Sequence, residues 1–284
     1  MKIYSKLIML FLFLFYSGNS LSQVFSDKDI TECNNRFTLA IEKNLSEKSI
    51  GDIIAEVGKT FLNTPYEAHT LEAADEEQLV INFSGLDCTT FLETTFALAR
   101  CIKQKKTTFE DFKNELQFIR YRDGKLDDYP SRLHYFSDWI FNNINKGLIK
   151  DVTKDIGGKP IKFKVNFMST NPHLYKHLKS NPEFVEIIKK HEMEISNREY
   201  YYIPQNEISK IESKIQNGDL IALTTSDKGL DIGHVGIAIM MNDGKIHFMH
   251  APQVGSKVQI TETPISDYVK KSKKHTGIII LRAL

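Results

Sequence analysis

Apolar residues recur at helical spacing over the first two thirds of the chain and alternate over the last third. Residues 27–46 carry Phe37, Ala40, Ile41 and Leu45 on one face, which predicts a packing helix. The stretch 49–62 repeats the pattern, with Ile53, Ile54, Val57, Phe61 and Leu62 inward, and the run into Pro65 ends it. Residues 79–83 form a short strand-like run. Ser84 and Gly85 then make a turn, and Asp87 is a good N-cap. Beyond it Phe91, Leu92, Thr95, Phe96, Leu98, Ala99 and Ile102 predict a helix with one buried side. Residues 109–118 read as helical, 119–124 as a strand or loop ending in a turn, and 131–144 as helical again. In that last helix Leu133, Tyr135, Phe136, Trp139, Ile140 and Ile144 are available for packing. Alternation over 161–167 predicts a half-exposed strand. Asn171 and Pro172 mark a turn or helix start, and 184–193 reads as helical.

The pattern then changes period. Residues 215–224 read as a turn into a strand and 231–240 as a second strand. Asn242-Asp243-Gly244 is a hairpin turn, followed by a third strand over 245–251. Residues 258–260 and 277–281 are the fourth and fifth strands. Short connections predict an antiparallel meander. Helices first and strands afterwards predict an α+β fold. No repeat, low-complexity segment or linker divides the chain. Residues 23–284 therefore read as one domain, with 105–210 as a mostly helical elaboration.

Composition adds little about partners. A chain of 284 residues with a net charge of +1 has no basic footprint for nucleic acid. The N-terminus says more. Lys2 and Lys6 flank the start of the apolar run 7–15, and Ser17, Gly18, Ser20 and Ser22 follow. This is the layout of a secretory leader over residues 1–22. It predicts export to a periplasm or cell surface, without stable membrane association once the leader is removed. The three cysteines are Cys33, Cys88 and Cys101. A Cys33–Cys101 bridge would leave Cys88 free in an exported protein. Two reduced, buried thiols fit the sequence equally well.

Cys88 falls in the first turn of its helix, where outward N–H groups and the helix dipole favour an anion. A thiol there is expected to ionise more easily. The competing reading is a small buried hydrophobe, the usual state of a free cysteine. A nucleophile needs a base, and the base needs an orienting group. Of nine histidines, His69, His173, His177, His191 and His275 lie in polar stretches and read as solvated. His234, His247 and His250 lie on the strand hairpin. His247 and His250 have opposite strand phase, so only one of them faces His234. His250, nearer the strand end beside His234, is preferred. No Cys-x-x-Cys or His-Glu-x-x-His spacing supports a metal, and no glycine spacing supports a phosphate loop.

A helix-leading Asp87-Cys88, a strand with Gly233-His-Val-Gly-Ile-Ala-Ile239 and a strand ending His250-Ala251 resemble the NlpC-type cell-wall cysteine peptidases of the papain-like superfamily. Several further stretches are similar to that superfamily's N-acetylmuramoyl-L-alanine amidase-like branch: Thr64-Pro-Tyr66, Thr70-Leu-Glu72, Asp87 to Glu93, Ala97-Leu-Ala99, Ser131 to Trp139 and His234 to Ala238. The resemblance runs from about residue 50 to the C-terminus. It implies a papain-like α+β fold with the cysteine helix packed on a C-terminal antiparallel sheet. It implies Cys88 as nucleophile, His234 as general base and His250 as the residue that orients it, with no cofactor. Tyr66 matches a tyrosine lining the cleft. Ser131, Arg132 and His134 belong to the branch's insertion and are expected to contact sugar or peptide carboxylate, although Arg132 equally suits an internal salt bridge. The implied partner is peptidoglycan or a muropeptide. The implied bond is the one between the muramoyl lactyl group, notably of anhydro-muropeptides, and L-alanine. The broader family instead cuts γ-D-glutamyl–diaminopimelate bonds, but Thr89-Thr90 stands where that family has Ser-Gly. A non-catalytic wall-binding module is the reading from another class.

Overall fold

A computed structural model describes residues 23–284 apart from Ala73 and Gly255, so the leader-like stretch 1–22 lies outside the described residues. The chain opens with β1 (Gln23–Val24) and helices α1 (Asp27–Glu42) and α2 (Ile50–Lys59). Ser26 and Ser49 cap the two helices by accepting N–H groups of Asp29 and Asp52, which meets donors the helix itself cannot. Ile41 was expected inward, but it is 63% exposed. The reason is local: α1 stops at Glu42, and Asn44 turns left-handed with φ 50. That turn swings Leu45 into the core in place of Ile41.

After β2 (Leu79–Val80) comes α3 (Cys88–Lys103). Asp87 caps it in a reciprocal box with Thr90. The expectation of one buried side proves too narrow, because every residue from Thr90 to Ala99 is buried. The middle segment covers the second side. Its helices α4 (Phe109–Arg120) and α5 (Phe136–Asn145) send Arg120 and Trp139 onto the buried Glu93 carboxylate. Arg120 Nε lies 2.7 Å from Glu93 Oε2, and Trp139 Nε1 lies 3.1 Å from Glu93 Oε1. Phe91 and Phe96 are fully enclosed, and burying such side chains stabilises by about 1.5–3 kcal/mol each.

The middle segment continues with β3 (Ile149–Asp151), β4 (Lys159–Ile161), short helices α6 (Phe167–Thr170) and α7 (Lys176–Ser180), then α8 (Pro182–Asn197) and β5 (Tyr200–Pro204). Two expectations shift here. The helix expected over 131–144 starts only at Phe136. The strand expected over 161–167 is ladder-paired only as far as Ile161, although Phe163 and Val165 keep the alternating burial.

The rest comprises α9 (Ile208–Ile211), β6 (Leu220–Thr225), β7 (Ile232–Met240), β8 (Ile246–His250), β9 (Gln259–Ile260), α10 (Ile265–Lys271) and β10 (His275–Ala283). Strands β6 to β9 form the expected meander. The last strand departs from it: β10 inserts between β5 and β6, and the sheet order is β4-β5-β10-β6-β7-β8-β9, with β3 also pairing β10. Apolar residues on both sheet faces explain this, since a strand buried on both sides suits an interior position better than an edge. Val235, Ile237 and Ile279 face the large core shared with α2 and α3. Ala238, Phe248 and Ile278 face a smaller core shared with α9 and α10. The described residues thus form an α+β fold. None of its helices is long and apolar enough to cross a membrane.

Candidate active site

Two of the first four N–H groups of α3 are directed inward upon the helix start itself. Thr90 N–H goes to the Asp87 carboxylate and Phe91 N–H to the Asp87 carbonyl. Among the described residues the Cys88 N–H has no partner. The sulfur of Cys88 is 4.0 Å from Thr89 Oγ1 and faces the Val235 N–H. Strand phase explains the last contact. Ala238 exchanges hydrogen bonds with the β6 side, so Val235, three residues earlier, points its N–H toward β8. The β7–β8 ladder stops at Ile237, which leaves that N–H free for the thiol. Burial and the adjacent Asp87 carboxylate push the Cys88 thiol up to about 12. The expected easy ionisation is therefore not found: desolvation outweighs the helix dipole.

His234 sits beside this opening. The β6–β7 register slips between Leu223 and Thr224, so Gly233 is an extra residue in β7 immediately before His234. Such a bulge re-aims the side chain that follows it. His234 Nε2 lies 2.7 Å from His250 Nδ1. His250 is 1% exposed, and its ring packs against Phe248 and Tyr268. His247 has the opposite phase and binds the Thr261 carbonyl and Asp243 instead. Burial, then the neighbouring His250 and His275, hold His234 well below the ordinary imidazole range. Burial likewise takes His250 to about 3. Both rings are neutral at pH 7. If His250 Nδ1 accepts, His234 donates from Nε2 and its Nδ1 is left as a base. The ring of His275, expected to be solvated, lies 6.4 Å from His234 in a stacked arrangement.

Cys88 and His234 line one cleft of about 270 Å³. Its far wall comes from the middle segment: Tyr129, Leu133, His134, Tyr135, Phe136 and Tyr175. Three comparisons bear on this arrangement. Residues 56–278 match the family described as AmiA-like, N-acetylmuramoyl-L-alanine amidase-like. The chain belongs to this amidase-like family. A crystal structure of an N-acetylmuramoyl-L-alanine amidase from Bacteroides uniformis is 40% identical, has a TM-score of 0.77, and aligns over 83% of this chain and 99% of that one. A candidate xylanase from Bacteroides fragilis is 45% identical, with a TM-score of 0.75 over 80% of this chain and 99% of that one. A Legionella pneumophila protein at 23% identity shares the fold, with a TM-score of 0.69 over 90% of this chain and 95% of that one. No curated protein matches at a significant level.

The amidase-like chain does not bring all the sequence-derived candidates to one place. Tyr66 is half-buried, and burial followed by the Cys88 and Asp87 charges raises its hydroxyl. His134 lines the cleft, with Nε2 2.8 Å from the Tyr129 carbonyl oxygen. Burial, then Arg132, holds its imidazole neutral. Arg132 is 5% exposed and turned inward: its guanidinium pairs with Glu72 and Glu77 and donates to the Leu71 carbonyl. Ser131 lies apart, in a surface hollow with Asp127 and His191, where its hydroxyl accepts from Asp127 N–H. Sequence reasoning missed the aromatic wall of Tyr129, Tyr135 and Tyr175. Only the Tyr-rich composition of this segment hinted at it.

Among the described residues no group of three or more His, Cys, Asp or Glu side chains is disposed to hold a metal ion.

Proposed function

We propose that this amidase-like protein hydrolyses the amide between the N-acetylmuramoyl lactyl group, in particular of anhydro-muropeptides, and L-alanine, on an NlpC-type papain-like fold. The reading is carried by one observation: Cys88 and His234 line a single cleft where β7 and β8 splay apart, and the buried His250 backs His234 from behind at 2.7 Å. The Cys88 sulfur attacks the carbonyl carbon while its proton moves to His234 Nδ1. His234 Nε2 keeps its proton on His250 Nδ1, which stabilises the imidazolium as it forms. The unspent Cys88 N–H is suited to the oxyanion. The imidazolium then protonates the leaving amine of L-alanine, and the thioester is hydrolysed by water that gives its proton to the same nitrogen. No step calls for a cofactor. The lysine-flanked apolar run at 7–15 supports action outside the cytoplasm, where peptidoglycan fragments are met.

The test is incubation of the mature protein with a defined anhydro-muramyl tetrapeptide, with products identified by mass spectrometry. Free peptide beginning with L-alanine, abolished in Cys88→Ala, is the expected result. A released muramyl dipeptide assigns a γ-D-glutamyl endopeptidase instead. Binding without product in wild type and variant alike assigns a wall-binding module.

A further inference from the structure

Two stretches face one another across the cleft. Leu133 to Phe136 belongs to the middle segment, and Leu230 to His234 leads into β7. A single carboxylate joins them. Asp231 is 2% exposed, and its Oδ2 accepts the Ser137 N–H at 2.7 Å. Its Oδ1 accepts the Ile232 N–H, also at 2.7 Å.

Ser137 lies in the first turn of α5, and Tyr135 before that helix offers no capping side chain. A residue 94 positions away therefore supplies the cap that the local sequence lacks. This explains why the helix starts at Phe136: residues 132–135 are drawn out as cleft wall, and α5 begins where Asp231 can reach it. The same carboxylate grips β7 one residue before the bulge at Gly233. The adjoining loop is fastened to the same segment again, because the Gly229 carbonyl accepts the Asn166 and Phe167 N–H groups, both at 3.2 Å.

We propose that Asp231 is a positioning residue that holds the cleft wall of residues 133–136 in register with His234, so that substrate seated on the wall is presented to Cys88. The inference rests on the amidase reading for its substrate but not for its geometry. Loss of the carboxylate frees both the helix start and the bulge. A displacement on the order of 1 Å of a reacting group costs about 100-fold in rate.

The experiment compares wild type, Asp231→Asn and Asp231→Ala, each at a temperature where circular dichroism shows it folded. Turnover of the anhydro-muramyl tetrapeptide is measured together with the rate of Cys88 alkylation by iodoacetamide from pH 5.5 to 9. Asp231→Ala is expected to lower kcat and raise KM, with kcat/KM down about 100-fold, and to change the alkylation pH profile. Asp231→Asn keeps one acceptor oxygen and is expected to recover part of both. If Asp231→Ala folds less stably but shows wild-type kcat, KM and alkylation profile, Asp231 is merely structural and the proposal is overturned. If Asp231→Ala does not fold, Asp231→Asn is judged by the same two readouts. If wild type gives no turnover, the amidase reading fails, and the alkylation comparison alone decides for or against Asp231.

Discussion

Replacing His250 by alanine isolates the pair on which the proposed mechanism turns. The 2.7 Å contact between His234 Nε2 and His250 Nδ1 is enclosed, with His250 only 1% exposed. In the resting enzyme both rings are neutral, and their hydrogen bond is worth about 1 kcal/mol. In the transition state His234 gains a proton, and a hydrogen bond to a charged donor is worth about 1.5–3 kcal/mol. Without His250 the charge forms against an apolar wall of Phe248 and Tyr268. The part felt only in the transition state is the difference, about 0.5–2 kcal/mol, which at 1.36 kcal/mol per decade gives a fall in kcat of about 2- to 30-fold. Because the loss is felt only as charge develops, KM should change little. Initial rates of L-alanyl peptide release measure both constants. His250→Asn places an amide oxygen near the lost Nδ1 and should recover much of the rate. A His250→Ala protein that melts cooperatively yet keeps the wild-type kcat would refute the assigned role.

Three further outcomes follow from the packing. Glu93→Ala leaves the buried Arg120 charge without its counter-ion, with only the Val80 carbonyl still accepting from it, and the Trp139 N–H without a partner, at a cost of about 3–5 kcal/mol; the melting temperature should fall by about 6–20 °C, and a fall under 2 °C contradicts the account. Gly236→Ala puts a methyl group 2.5 Å from the Met249 carbonyl oxygen, so β7 and β8 must part at the site; a stability loss of about 1–3 kcal/mol with reduced turnover is expected, and wild-type values for both count against it. Acid should destabilise the fold through its neutral imidazoles. Burial takes the folded His250 down to about 3, whereas an unfolded histidine titrates at about 6.5. Between those values the unfolded chain binds the extra proton, so stability drops as pH falls, by about 1.4 kcal/mol per pH unit. Urea denaturation from pH 6 to 4 should give a shallower slope for His250→Asn than for wild type by that amount; parallel slopes would sink the idea.

Local rules made the elements legible and long-range pairing made the site. Asp87 and the apolar spacing after it marked the start of α3 because capping and helical periodicity are properties of neighbouring residues. Strand phase separated His247 from His250 for the same reason. The start of α5 was not legible, because its cap comes from Asp231 across 94 positions. Nor was the place of β10, whose partners β5 and β6 lie far upstream. The two glycines around His234 looked alike in the sequence but act differently: Gly233 is the bulge residue, and Gly236 lets the Met249 carbonyl approach. Cys33 and Cys101 are both free and buried, the second of the two arrangements the sequence allowed.

The state of Cys88 shows which effect governs the site. A helix N-terminus stabilises an anion by about 0.3–1 kcal/mol when exposed, and by about 2 kcal/mol in favourable partly buried geometries. The rise of the thiol from 9.0 to about 12 corresponds to about 4 kcal/mol in the other direction, so burial wins. Cys88 is half-buried, and the cleft it lines is walled by Tyr129, Tyr135 and Phe136. The same middle segment that shapes the cleft therefore also keeps the thiol and imidazole neutral at rest. On the proposed mechanism, proton transfer must accompany attack, and the charges appear only when a carbonyl is seated against the Cys88 N–H. A substrate that fills the aromatic wall brings that carbonyl into place, whereas one that does not meets a protonated thiol. On that reading selectivity and reactivity are set by one structural feature, the aromatic wall that the segment between α4 and β5 builds along the cleft.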